Sequence, residues 1–77
     1  MRVNREKLRA LREQYPFGTV VELIRMDDKQ APPAGTRGVV THVDDMGTVH
    51  TNWATGSRLG LIPDVDEFRV IKTGGAV

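Results

Sequence analysis

Residues 35–63 read GTRGVVTHVDDMGTVHTNWATGSRLGLIP, and this stretch decides the fold of the 77-residue chain. Its apolar residues recur at about every second position, which is the spacing of a half-buried β-strand. Compact turns at residues 44–47 and 54–57 divide the stretch into three short runs. Short alternating runs joined by glycine-containing turns are typical of hairpins, so the stretch predicts a β-meander.

The segments on either side extend the meander. We predict five strands, at residues 20–26, 37–44, 48–53, 58–62 and 68–71. A 3₁₀ turn at residues 63–67 is expected before the last strand, because this segment is short enough for a single tight turn. The order resembles an SH3-like small barrel, which leaves few free strand edges. We therefore expect a mainly β fold, a five-stranded SH3-like barrel over residues 15–72, rather than an OB-like barrel with longer strands; residues 73–77 are expected to be a disordered tail.

The strand pattern also assigns a core and an outer set. The side chains expected to face inward are Val21, Leu23, Val40, Val43, Val49, Trp53, Leu59, Leu61, Phe68 and Val70. The alternation of apolar and polar residues fails around Thr41 and His42, where we expect a kink. Near Ile24 the pattern fits either an outward-facing side chain or a bulge. The apolar residues left outside are Val20, Ile24, Val39 and Ile62. A homodimer could bury them.

Residues 1–14 are predicted to form a short basic amphipathic helix. Asn4 is a suitable N-cap, since its side-chain oxygen can accept from a free N–H of the first turn. Leu8, Leu11 and Tyr15 follow one apolar stripe, which we expect to dock on the barrel. A short helix of this kind is marginal alone, so its docking supplies most of its stability.

The composition describes one small domain with a net charge of +1. Residues 1–14 carry five basic and two acidic side chains (net +3), whereas residues 15–77 carry six basic and eight acidic ones (net −2). Cysteine is absent, which fits a reducing compartment. No apolar run approaches the roughly 20 residues of a membrane span. We therefore expect a cytoplasmic protein that makes no membrane contact.

Neither a metal site nor a cofactor site is predicted. A hairpin centred on Met46 places His42 opposite His50, and two facing imidazoles can bind a metal or respond to pH. No third ligand accompanies them, although a structural zinc site needs four, so an ordinary cross-strand pair is the preferred interpretation. Asp27 and Asp28 are adjacent carboxylates without further spaced oxygen ligands, and a solvated turn accounts for them.

Three motifs occur in order along the chain: MDDKQAPP at residues 26–33, THVDD at 41–45 and LGLIP at 59–63. With the segment around them, roughly residues 15–71, they resemble the DUF4314 family of small bacterial, phage and mobile-element proteins. The resemblance implies a prokaryotic or phage cytoplasmic setting and supports the fold. Because the family name denotes a domain of unknown function, the resemblance implies no activity.

A binding module is the function that we expect. Catalysis is not expected, since the acidic residues cluster in turns and no Ser/His/Asp or Cys/His set is indicated. Loops held by a rigid scaffold commonly carry recognition, and this favours a protein partner. A phage or mobile-element accessory protein acting on a host protein would fit. The candidate contact residues are Gln30, Pro32, Pro33, Asp45, Met46, Thr55 and Arg58.

Nucleic-acid binding is the alternative. It would use the arginines of the helix and barrel, namely Arg2, Arg5, Arg9, Arg12, Arg37 and Arg58. Phosphate binding needs a continuous positive surface, and Glu6 and Glu13 can instead pair with the helix arginines as a solvated face. The arrangement of the arginines therefore discriminates: one shared face favours nucleic acid, whereas scattered arginines beside an apolar patch favour a protein.

Overall fold

A computed structural model describes residues 4–75, which contain one helix and four strands. In chain order these are α1 (Arg5–Gln14), β1 (Val20–Arg25), β2 (Arg37–Val43), β3 (Val49–Trp53) and β4 (Glu67–Lys72). The strands form one antiparallel sheet in the order β3-β2-β1-β4. The prediction of a mainly β fold with a short N-terminal helix is confirmed.

The predicted fifth strand and the closed barrel require correction. Residues 58–62 contribute one isolated bridge, in which Val49 and Leu61 exchange two backbone hydrogen bonds of 2.8 and 2.9 Å. A regular strand does not continue from this bridge, because the carbonyl of Leu59 accepts from the indole Nε1–H of Trp53 at 2.8 Å. The described chain therefore forms an open four-stranded sheet.

The segment before the last strand is a hydrogen-bonded turn. The N–H groups of Val65 and Asp66 both donate to the carbonyl of Ile62, at 2.9 and 2.8 Å. The Asp66 carboxylate accepts in return from the N–H of Ile62 at 2.8 Å. The bond from Val65 has the i to i+3 spacing of the predicted 3₁₀ turn, whereas the bond from Asp66 spans i to i+4, so the segment is a single turn and not a 3₁₀ helix.

Two of the three irregularities in strand pairing lie where the sequence breaks the alternation. The register of β2 against β3 shifts between Val40 and His42, and that of β1 against β4 shifts between Leu23 and Arg25. A kink was expected at the first, and a bulge was one of the two alternatives left open at the second. The predicted three-residue hairpin loop is also present, with Gly47 at a φ of 85°, a conformation that glycine adopts without strain.

The core follows the predicted inward set, with one clear exception. The buried members are Val21, Leu23, Val40, Val43, Val49, Trp53 and Leu61. Leu59 and Phe68 are half-buried. The prediction for Val70 was wrong, since this side chain is 40% exposed. Strand β4 lies at the edge of the sheet, and an open sheet covers its edge strand only in part.

The helix packs on the sheet as predicted. Asn4 caps it, with Oδ1 accepting from the N–H of Lys7 at 2.8 Å. Leu11 and Tyr15 are buried in the core, and the Tyr15 ring lies 5.5 Å from that of Phe68. Arg12 donates from Nε to the carbonyl of Val43 at 3.2 Å. This helix, the only one described between residues 4 and 75, is not long and apolar enough to cross a membrane.

The described chain after β4 contacts the turn before β1, while the disordered tail expected at residues 73–77 stays a prediction. Gly74 donates its N–H to Oγ1 of Thr19 at 3.0 Å, and Gly75 donates to the carbonyl of Phe17 at 3.0 Å. Residues 76–77 lie outside the described residues. The turn before β1 therefore anchors the described part of the C-terminal segment.

Gly38 is a position at which β2 has no room for a side chain. A Cβ there would lie 2.6 Å from a Thr51 methyl carbon and 2.8 Å from the Trp53 ring. Gly38→Ala is expected to lower the free energy of unfolding by about 1–3 kcal/mol through overpacking. Urea denaturation followed by Trp53 fluorescence measures this, with the exposed neighbour Val39→Thr as a control expected within about 0.5 kcal/mol of the parent. Equal stability of the Gly38→Ala protein would show that the ring does not cover this strand.

Candidate functional site

The face of the sheet opposite the core carries the candidate site; we call it the outer face. Side chains alternate along a strand, so the buried pair Val40 and Thr51 leaves its neighbours outside. Val39 lies opposite Asn52 on this face, and His42 lies opposite His50 beyond the bulge. These rows bring together residues of β2 and β3 that are up to 13 positions apart in the chain.

The larger of two clefts on the outer face has a volume of about 410 Å³, and we call it the histidine cleft. Its lining residues are Thr41, His42, His50, Thr51, Asn52 and Arg58. The two imidazoles stack with ring centroids 4.4 Å apart and planes 7° from parallel. The predicted cross-strand pair is confirmed, and the bulge at Thr41 brings its hydroxyl beside both histidines.

The contacts of the Thr41 hydroxyl assign the tautomer of His42, that is, which ring nitrogen carries the hydrogen. The Thr41 hydroxyl donates to the carbonyl of His50 at 3.2 Å, and its oxygen lies 3.1 Å from Nδ1 of His42. Since the hydroxyl proton is already used, Nδ1–H of His42 is the donor in the second contact. In the neutral ring, Nε2 of His42 is then left as an acceptor.

Asp44 holds the second ring. Its Oδ2 lies 2.8 Å from Nε2 of His50, while Oδ1 accepts from the N–H groups of Met46 and Thr48 at 2.9 and 3.0 Å. Desolvation raises the pKa of Asp44, but the hydrogen bonds from His50, Thr48 and Met46, together with the positive charge that His50 can carry, hold this pKa below its ordinary value. Because Nε2–H of His50 donates to the carboxylate, Nδ1 of the neutral ring is an acceptor.

The stacked rings are not arranged to share a metal ion. Imidazole lone pairs lie in the ring plane, so two nearly parallel stacked rings direct them within separate parallel planes that do not meet at one metal ion. Within the described range 4–75, no group of three His, Cys, Asp or Glu side chains could hold a metal ion.

Arg58 supplies the permanent positive charge of the histidine cleft. Its side chain is exposed and takes part in none of the ion pairs found between residues 4 and 75. The residue is placed by the turn after β3, in which the N–H of Trp53 donates to the carbonyl of Ser57 at 2.9 Å. Asn52, exposed on β3, adds an amide to the same cleft.

The second cleft on the outer face is mainly apolar, with a volume of about 220 Å³; we call it the valine cleft. Val20 and Val39 pair across β1 and β2 within it, and Trp53 and Ala54 contribute further lining. Val39 is 42% exposed. Asn52 lines this cleft as well as the histidine cleft, so the two adjoin.

A row of charges crosses the sheet beside the valine cleft. Glu22 lies opposite Arg37 on β2 and Arg69 on β4. One carboxylate therefore serves two guanidinium groups, at N···O distances of 3.5 and 3.0 Å. Lys72, which pairs with Val20, takes part in none of the ion pairs among the described residues. The row and Lys72 together carry a surplus of positive charge.

The loop residues predicted from the sequence do not form one surface. Gln30, Pro33 and Thr55 are exposed in loops near the start of β2. Asp45 and Met46 are exposed beyond its far end, about 20 Å away for a seven-residue strand. Arg58 lies in the histidine cleft. Pro32 is buried, so it supports the fold and does not present a contact surface.

The predicted arginines are also dispersed. Arg5 and Arg9 are exposed on α1, Arg12 pairs with Asp45 at 2.8 Å, and Arg37 pairs with Glu22. Arg2 lies outside the described residues.

Sequence reasoning missed Asn52 and Thr41 as site residues. Side chains alternate along β3, so His50 and Asn52 lie on the same face. This spacing was the signal in the sequence from which Asn52 could have been predicted. The bulge adds Thr41 to this face, and its hydrogen bonds were not predictable from spacing.

The Asp44 carboxylate predicts a specific pH dependence of stability. Its folded-state pKa lies below the unfolded value of 3.8, so it stabilises the fold above that pH and loses this contribution as the pH falls through the folded value. Asp44→Asn should cost about 1 kcal/mol at pH 7 for a partly exposed charged hydrogen bond. The gap to the parent should close as the pH falls from about 4 towards 2. Thermal unfolding across this range measures it.

Asp27→Asn is the matched control, since this carboxylate is exposed and takes part in none of the ion pairs found between residues 4 and 75. Its stability difference from the parent should stay nearly constant over the same pH range. A constant difference for Asp44→Asn as well would contradict the assigned contacts.

A family model described as "Domain of unknown function (DUF4314)" matches residues 4–71. A search of curated proteins and a search of solved structures each found no match. The matched segment covers most of the 77-residue chain and includes all of α1, β1, β2 and β3. It also contains the three motifs on which the resemblance rests. The chain therefore belongs to the DUF4314 family, a domain of unknown function.

Proposed function

We propose that the chain is a non-catalytic protein-binding module that receives an apolar side chain of its partner in the valine cleft. The observation that carries the proposal is an apolar cleft on an exposed sheet face, bordered by positive charge. The loops at residues 26–36 and 54–58, which include the predicted contacts Gln30, Pro33 and Thr55, flank the start of β2 and would form the rim.

The valine cleft has the anatomy of a small recognition pocket. Val39 is exposed in the middle of a strand, and Val20 beside it is half-buried. Trp53 is among the lining residues, but its indole is buried on the core side of the sheet. A volume of about 220 Å³ suits one large apolar side chain rather than an extended ligand. Apolar anchors seated in preformed pockets commonly supply most of the energy of an interface.

Charge indicates the chemistry of the partner. Arg37 and Arg69 share Glu22, while Lys72 and Arg58 have no carboxylate within ion-pair distance among the described residues. This surplus of cations favours a partner segment in which acidic residues flank the apolar anchor, because complementary charge speeds encounter and fixes orientation.

Nucleic-acid binding is the less favoured alternative. Arg12 and Arg37 are neutralised by Asp45 and Glu22, so the described arginines do not make the continuous positive surface that a nucleic-acid backbone needs. Self-association would use the same exposed Val39, and the experiment below separates it. We also propose a cytoplasmic setting in a bacterium, phage or mobile element, which rests on the absence of cysteine and on the family resemblance.

Site-specific photocrosslinking tests this docking surface. A benzophenone amino acid at position 39 is expected to capture a protein from a lysate of a bacterium that encodes a family member, with nuclease added. The same group at position 65 is the matched control. Val65 is 64% exposed but lines neither outer-face cleft, so it should not capture the same protein.

The captured protein is then purified and titrated by calorimetry. Val39→Lys is expected to weaken binding at least about 10-fold by removing the apolar contact and adding charge, whereas Val65→Lys should leave the affinity unchanged. Three outcomes contradict the proposal: equal capture at both positions, capture that nuclease abolishes, or a crosslink between two copies of the chain.

A further inference from the structure

We propose that the histidine cleft is a binding site for an oxyanion such as a phosphate or sulfate group, and that the anion binds together with a proton. The site consists of Arg58, the stacked pair His42 and His50, and the amide of Asn52. It is separate from the docking of an apolar side chain in the valine cleft and does not depend on it.

The donors available to an anion are few but close together. Arg58 presents a guanidinium group that is free of ion pairs within residues 4–75, and guanidinium is well suited to oxyanions. Asn52 adds an N–H₂ donor to the same cleft. The free ring nitrogens, Nε2 of His42 and Nδ1 of His50, are acceptors while the rings are neutral. They become donors only when the rings gain protons.

Charge explains why proton and anion should bind together. Two imidazolium rings at 4.4 Å repel each other, and Arg58 adds a third positive charge to the cleft. Asp44 can offset the charge of His50 through its 2.8 Å contact. The other charged group near His42 is Arg12 from α1, which already pairs with Asp45. An external anion therefore supplies the missing counter-charge.

Thermodynamic linkage makes the coupling reciprocal. A bound anion favours protonation of the stacked rings, and protonation of the rings strengthens anion binding by the same factor. Histidine is the residue type whose charge ordinarily changes near neutral pH, so the experiment compares pH values on either side of neutrality. Stacking and the contacts with Thr41 and Asp44 fix the orientation of the two rings before the anion binds. This reduces the entropy that is lost on binding.

Sodium sulfate is the first probe, because sulfate stays a dianion over this pH range. The full chain is titrated at constant ionic strength with chloride as the compensating ion, at about pH 5.5 and about pH 7.5. Imidazole and Asn52 side-chain NMR signals report binding. We expect saturable shifts at the lower pH and an affinity about 10-fold weaker at the higher pH.

Two variants and one control assign the site. Arg58→Gln is expected to weaken sulfate binding about 10-fold at the lower pH, as for loss of a charged hydrogen bond. His42→Gln keeps a donor but cannot titrate, so the difference in affinity between the two pH values should shrink. Arg9→Gln removes an exposed helix arginine that lines none of the clefts. It should change neither the sulfate affinity nor the difference in affinity between the two pH values. Backbone amide spectra verify that each variant is folded.

The source of the anion is resolved by a second pair of probes, inorganic phosphate and a short phosphoserine peptide, with the unphosphorylated peptide as reference. Tighter binding of the phosphoserine peptide supports an oxyanion carried on a protein side chain, and equal or weaker binding supports a free anion. Shifts that rise linearly with sulfate, or that are the same in Arg58→Gln, would overturn the site. Saturable binding with equal affinity at both pH values would overturn the coupling to a proton.

Discussion

The contact between Trp53 and Gly38 is the constraint on which the rest of the structure depends. The indole ring lies over β2 at the one position where a side chain is missing, so strands β2 and β3 approach closely at that end. Its Nε1–H donates to the carbonyl of Leu59, and its backbone N–H donates to that of Ser57. One residue thus closes the core and holds the segment after β3.

Trp53 also shapes the histidine cleft, although it is not one of the residues that line it. Because residues 57–59 are held by Trp53, Arg58 is placed beside β3 instead of at the tip of a free loop. The far side of that cleft depends on the Thr41 bulge, which adds a residue to β2 and leaves His42 opposite His50. Asp44 then completes the hairpin loop and contacts His50. The cleft exists because an extended pairing is interrupted at two places.

Sequence reasoning predicted what local chemistry determines. The hairpin loop at Gly47, the facing histidines, the irregularity near Thr41 and the capped helix all follow from residues that are close in the chain. The fifth strand failed for a tertiary reason, since the Leu59 carbonyl bonds to a side chain of β3 and not to its backbone. The predicted burial of Val70 was wrong because this side chain would be covered only if the sheet closed into a barrel. The outer-face clefts depend on register across three strands, which a single sequence specifies weakly.

The net charge of +1 does not reveal where paired and unpaired charges lie on the structure. Asp45, Asp64 and Glu67 pair with cations away from the outer face or at its ends, and Asp44 is engaged with a histidine. Glu22 is the one carboxylate in the charge row on the sheet, and it serves two arginines. Arg58 and Lys72 therefore keep their charge on the same face as the exposed Val39. The distribution of carboxylates, more than their number, gives this small sheet a face that combines an apolar cleft with positive charge.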